Sequence, residues 1–121
     1  MPLIAIIDDD ASFRRATVNL VRSLGHPVEP FASAEAFLHS GRISDACCVI
    51  TDIQMPGMTG IELQKQLLAK GHRLPVIYVT AFPDIPGGRK GLPAGTVGFL
   101  EKPFSHEQLI ECLNRALGEA A

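Results

Sequence analysis

Apolar positions along this chain follow two rhythms that take turns. Leu3–Ile7 is an unbroken, largely β-branched apolar run closed by Asp8, Asp9 and Asp10, the pattern of a strand covered on both faces of a parallel sheet. Phe13, Ala16, Leu20, Val21 and Leu24 then recur at helical spacing. They predict a helix with one apolar stripe, capped by Asp10 and stopped at Gly25. Val28–Phe31 reads as a weak strand, and Pro30 inside it points to a sheet edge because proline has no N–H to give to a ladder. A short helix is predicted over 33–39. Residues 47–51 form another apolar strand, ending at Asp52 and followed by the turn-rich Met55-Pro56-Gly57-Met58-Thr59-Gly60. A helix through Ile61, Leu63, Leu67 and Leu68 runs from there to Gly71. Strands at 75–79, ending in Thr80, and at 97–100, ending near Lys102-Pro103, come next. Ser105 with Gln108 makes a capping box for a last helix carrying Leu109, Ile110, Leu113 and Leu117.

Strands alternating with helices imply a parallel sheet with right-handed crossovers and helices on both faces. Five such strands make an open, doubly wound α/β fold. One stretch breaks the rhythm: in 83–94, Pro83, Pro86, Gly87, Gly88, Gly91 and Pro93 fall where a fourth helix is due. Each interior glycine costs a helix about 1 kcal/mol and an interior proline about 3 kcal/mol. The expectation is therefore an irregular fourth helix region and an unusual surface there.

Composition narrows the function. A chain of 121 residues, 46% hydrophobic, is a single ordinary domain spanning 1–121. Lys and Arg are scattered and the net charge is -2, which leaves no contiguous footprint for nucleic acid. The apolar runs are far shorter than the roughly 18 residues a membrane span requires. With no signal-peptide pattern opening the chain, a cytoplasmic location is expected. Three cysteines, Cys47 and Cys48 being adjacent, show no metal-ligand spacing and are expected as buried, reduced thiols.

Ligands of open α/β sheets bind outside the carboxyl ends of the strands. Those ends carry Asp8 and Asp9, Asp52, Thr80 and Lys102. Taken singly, each has an ordinary explanation. An Asp run caps a helix, an Asp before Pro-Gly shapes a turn, a strand Thr reflects β-propensity and a lysine is solvated. Together they place three carboxylates, a hydroxyl and an ammonium on one rim. Carboxylates that close stay ionised only around a cation, and oxygen ligands favour a hard one, usually Mg²⁺. Metal and lysine together suit a transferring phosphoryl group, with Asp52 as its acceptor.

The blocks Ile6-Ile7-Asp8-Asp9-Asp10, Thr51-Asp52-Ile53-Gln54-Met55-Pro56-Gly57-Met58-Thr59-Gly60, Val79-Thr80-Ala81 and Phe99-Leu100-Glu101-Lys102-Pro103-Phe104 resemble those of response-regulator receiver domains of two-component signalling. Together with Phe31-Ala32-Ser33-Ala34-Glu35 they are most similar to the nitrogen-fixation regulator type. The resemblance implies a flavodoxin-like sheet of order 2-1-3-4-5. It implies that a sensor histidine kinase or phosphotransfer protein phosphorylates Asp52, that Asp9 and Asp52 bind Mg²⁺ directly, that Asp8 assists through water, and that the Gln54 backbone carbonyl completes the set. Thr80 and Phe99 correspond to the switch pair, Lys102 to the phosphate contact, and Lys102-Pro103 to a cis peptide bond. Gln54 and Phe82 correspond to the positions flanking the attacking water, and the bulk of Phe82 predicts slow hydrolysis.

A phosphatase of the haloacid-dehalogenase type also builds an aspartyl phosphate with Mg²⁺, but its nucleophile ends the first strand in an Asp-x-Asp pattern. Here Asp8 and Asp9 are adjacent. A pseudo-receiver that binds a partner without phosphorylation typically lacks an acid or the lysine, and both are present. The cognate kinase, the pathway, the oligomeric state (a phosphorylation-dependent homodimer among the possibilities) and the choice between a single-domain regulator and the receiver half of a longer protein, joined to an output domain, stay open at this level.

Overall fold

The computed structural model describes residues 3–81 and 92–119. Their order is β1 (Leu3–Ile7), α1 (Ala11–Ser23), β2 (Val28–Phe31), α2 (Ala34–Leu38), a 3₁₀ turn (Ile43–Asp45), β3 (Ala46–Asp52), α3 (Gly60–Ala69), β4 (Val76–Thr80), β5 (Thr96–Glu101) and α4 (His106–Glu119). The five strands are all parallel, in the order β2-β1-β3-β4-β5. The flavodoxin-like doubly wound architecture is therefore present, with Pro30 on the edge strand as its missing N–H requires.

Strand alternation divides the core into two layers. Ile4, Ile6, Cys48, Ile50, Ile77 and Val79 face one side, where α1 and α4 cover them through Val18, Val21, Leu109, Leu113 and Ala116. Ala5, Ile7, Val49, Val76 and Tyr78 face the other, beneath α2 and α3 through Phe37, Leu63 and Leu67. With both faces covered, β1 and β4 are buried along their whole length.

The caps read from sequence are in place. Asp10 accepts the N–H groups of Ser12 and Phe13. Ser105 and Gln108 exchange reciprocal bonds of 3.1 and 2.8 Å. The α1 stripe needs correction: its buried residues are Thr17, Val18 and Val21. Phe13 and Leu20 are partly buried, while Ala16 and Leu24 are exposed. Ala16 sits two residues from Val18, roughly 200° round the helix, so the two cannot share a face. Thr17 is accommodated because its hydroxyl donates to the Phe13 carbonyl at 2.9 Å. In 83–94 the irregularity expected falls mostly outside the described residues; Leu92, Pro93 and Ala94, which are described, are not helical.

All three cysteines are free thiols, Cys48 and Cys112 buried and Cys47 half-buried. Burial pushes the Cys48 thiol from 9.0 up to about 12. A group whose folded value is raised contributes stability below its unfolded value that is lost as pH rises toward the folded one. The unfolded chain releases this proton near pH 9 and the folded chain does not. Denaturant titrations should thus show stability falling by about 1.4 kcal/mol per pH unit above 9 from this group alone. Tyr78, also raised by burial, adds a loss of the same sign at higher pH. A Cys48→Ala variant with the same alkaline slope as the parent would contradict the assignment.

Candidate functional site

The carboxyl ends of β1, β3, β4 and β5 meet at one rim. Asp8 follows β1 and is 1% exposed, and Asp52 closes β3 and is also buried. Lys102 follows β5 and donates to both, at 2.8 Å to Asp8 Oδ2 and 3.0 Å to Asp52 Oδ2. Backbone N–H groups hold the second oxygen of each acid, Asp10 donating to Asp8 Oδ1 at 2.9 Å and Gln54 to Asp52 Oδ1 at 3.1 Å. Thr80, fully buried at the end of β4, accepts the Lys102 N–H on its carbonyl at 2.7 Å. Arg14 in α1 donates to the Asp8 carbonyl at 2.6 Å, fixing the turn that carries the acids. The Lys102-Pro103 peptide bond is cis.

Burial raises the Asp8 carboxyl, and the ammonium of Lys102 offsets only part of that rise. For Lys102, burial works downward, but its hydrogen bonds to Asp8 and Asp52 outweigh it and the ammonium is raised. Both shifts describe a compact acidic site in which one cation is shared by two carboxylates.

Asp9 is exposed, yet oxygens of Asp8, Asp9 and Asp52 all lie within 4.8 Å of one another. Among the described residues, Lys102 is the side chain that ion-pairs with this cluster, so three carboxylates share one ammonium and negative charge is in excess. An all-oxygen donor set with that imbalance fits a hard divalent cation. Gln54 lies on the exposed lip beside Asp52, with its N–H already on that carboxylate. Phe99, on β5, is half-buried and packs against the layer that holds Tyr78, its neighbour in the sheet. Phe82 lies outside the described residues.

Sequence reading missed the supports of this site. Glu35 in α2 accepts the Met58 N–H at 3.2 Å and so ties α2 to the loop after Asp52. Gly57 has φ +79°, and a Cβ there would stand 2.6 Å from the Glu35 carboxylate. At Gly60, where α3 begins, a Cβ would overlap the Asp52 carbonyl oxygen, with Thr51 and Tyr78 side chains 3.2 Å away. Backbone cannot yield as a flexible side chain does. Gly60→Ala should therefore cost about 2 kcal/mol of stability in denaturant unfolding, and a variant as stable as the parent would refute this close approach. Buried Gln64 accepts from the Tyr78 and Thr96 hydroxyls and donates to the Ala94 carbonyl at 3.0 Å, joining α3, β4 and the entry to β5. A polar residue on an apolar helix face gives no sequence signal for that role.

The comparisons with known proteins agree with this geometry. The response regulator receiver domain family matches residues 4–114. Response regulator protein TodT of Pseudomonas putida is 41% identical over 115 residues, 95% of this chain and 51% of TodT. Transcriptional regulatory protein FixJ of Azorhizobium caulinodans is 39% identical over 116 residues, 96% of this chain and 55% of that protein. The chain thus spans about half the length of these relatives. Among solved structures, response regulator StyR superposes with a TM-score of 0.89 at 40% identity, covering 98% of this chain and 60% of StyR. FixJ-N does so at 0.82 and 33% identity, covering 96% of this chain and 93% of FixJ-N. No helix among the described residues is long and apolar enough to cross a membrane. With its sheet order, its strand-end acids and these relatives in agreement, the chain belongs to the response regulator receiver domain family, on the side of the nitrogen-fixation regulators.

Proposed function

We propose that this receiver is a cytoplasmic switch that accepts a phosphoryl group on Asp52 from the phosphohistidine of a sensor kinase or phosphotransfer protein. The observation that carries the reading is the bonding of Asp8 and Asp52 to one lysine at the rim where four strand ends meet. An Asp52 carboxylate oxygen attacks phosphorus, the bond from phosphorus to the donor imidazole breaks with its electron pair going to that nitrogen, and the imidazole, protonated on its other nitrogen, leaves as the neutral ring. Asp8, Asp9, Asp52 and the Gln54 carbonyl would hold Mg²⁺, which when bound screens the carboxylates and the charge on the phosphoryl oxygens. Lys102 supplies a further positive charge and Thr80 a hydroxyl for those oxygens.

The Thr80 hydroxyl turning toward the new phosphoryl group leaves space behind it for Phe99 to move inward. This couples the site to the surface of β5, where an output domain, a partner protein or a second copy reads the state. Water later releases inorganic phosphate and restores Asp52. The chain thus promotes its own phosphorylation and dephosphorylation and is not an enzyme acting on a separate substrate.

Incubation with acetyl phosphate and Mg²⁺ tests this by intact-mass spectrometry. One added phosphoryl group, absent when the metal is chelated, is expected. No added mass and no beryllofluoride binding would instead identify a pseudo-receiver, and multiple turnover of a phosphate ester a phosphatase.

A further inference from the structure

We propose that Phe13 is a positioning residue for Lys102, holding its ammonium over the acidic site through the face of the ring. Lys102 Nζ lies 4.0 Å from the Phe13 ring centroid while donating to Asp8 and Asp52. The ring is itself held: Phe104, two residues beyond Lys102, meets it edge to face, with centroids 5.5 Å apart and planes at 78°. The Phe13 backbone is fixed in the first turn of α1, its N–H on the Asp10 carboxylate at 3.1 Å and its carbonyl taking the Thr17 hydroxyl. Phe13 and Phe104 thereby lock the start of α1 to the turn that carries Lys102.

Apolar packing alone explains a side chain at position 13, because Phe13 and Phe104 both border the buried layer under α1 and α4. A leucine would serve that purpose. It would lack the quadrupole that attracts a cation to an aromatic face. The distinction matters for the switch, and this step rests on the reading of Asp52 as phosphoryl acceptor. Lys102 has a flexible stem with large rotamer entropy, and its two carboxylate partners are the groups that a cation and a phosphoryl group also engage. The ring face is the partner that neither of those competes for. It keeps the ammonium within reach of the phosphoryl oxygens when the carboxylates are engaged elsewhere.

Phe13→Leu and Phe13→Tyr variants of the full chain separate the two roles, Tyr retaining the charge-attracting face. The first readout is the NMR shift of the Lys102 ε-methylene protons, with and without Mg²⁺ and beryllofluoride. Upfield ring-current displacement in both states is expected for the parent and Phe13→Tyr, and its loss in Phe13→Leu. The second is the rate of labelling by acetyl phosphate at saturating Mg²⁺. Roughly a three- to tenfold fall is expected in Phe13→Leu, with Mg²⁺ affinity unchanged and the rate kept in Phe13→Tyr. Unshifted ε-protons in the parent, or a Phe13→Leu chain labelled as fast as the parent, would overturn the role of Phe13. A parent that takes up no phosphoryl group and binds no beryllofluoride overturns the underlying reading of the site as well.

Discussion

An Asp52→Asn chain should fold as the parent does and take up no phosphoryl group from acetyl phosphate. The carboxamide has no anionic oxygen to attack phosphorus, so the covalent step is lost rather than slowed. Folding is spared because the change removes a negative charge beside Asp8, and like charges that close repel. Lys102 keeps its 2.8 Å bond to Asp8, so the buried acid that remains stays paired. Intact-mass spectrometry of parent and variant under identical conditions decides it. Label appearing in Asp52→Asn at the parent rate would move the acceptor to another residue, with Asp8 and Asp9 first in line.

Replacing Lys102 by Met should have the second largest effect, on stability. Asp8 is 1% exposed and would lose the ammonium that now compensates it. Removing one partner of a buried ion pair costs on the order of 3 kcal/mol, because the other charge stays behind without compensation. For a domain of this size that corresponds to a fall in melting temperature of about 10 °C. Two rescues follow from the same cause. Saturating Mg²⁺ should raise the melting temperature more in Lys102→Met than in the parent, since the variant's acids have lost the ammonium that bonds Asp8 and Asp52. Lower pH should also narrow the gap. Burial already raises the Asp8 carboxyl, and losing Lys102 raises it further, so the folded variant gains a proton as pH falls and sheds its uncompensated charge. A variant equally stable in the absence of Mg²⁺ would show that Lys102 does not compensate Asp8.

The sequence by itself determined the elements, the fold class and the acids. Each depends on local pattern: β1 and β3 are apolar runs that lead into Asp8 and Asp52, Asp10 caps the helix that follows β1, and Ser105 caps the helix that follows β5. Pro30 marked an edge strand because a missing N–H is a property of one residue. The residues meeting at the rim were legible as strand ends, and the signature blocks suggested the roles proposed for them.

Tertiary structure alone decided which groups touch. Lys102 reaches Asp8 and Asp52 across 94 and 50 residues of chain, and Glu35 reaches Met58 across 23. Nothing in the spacing of a sequence encodes such distances, because they are set by how the crossovers pack on the sheet. The buried face of α1 shifted for the same reason. Helical periodicity defines a stripe, but the twist and position of the sheet choose which part of it is covered, so Thr17 went inside and Ala16 stayed out. Gln64, buried on α3 with hydroxyl and carbonyl partners from other elements, and Phe13, apolar by type yet set against an ammonium, have roles that exist only once distant segments are brought together.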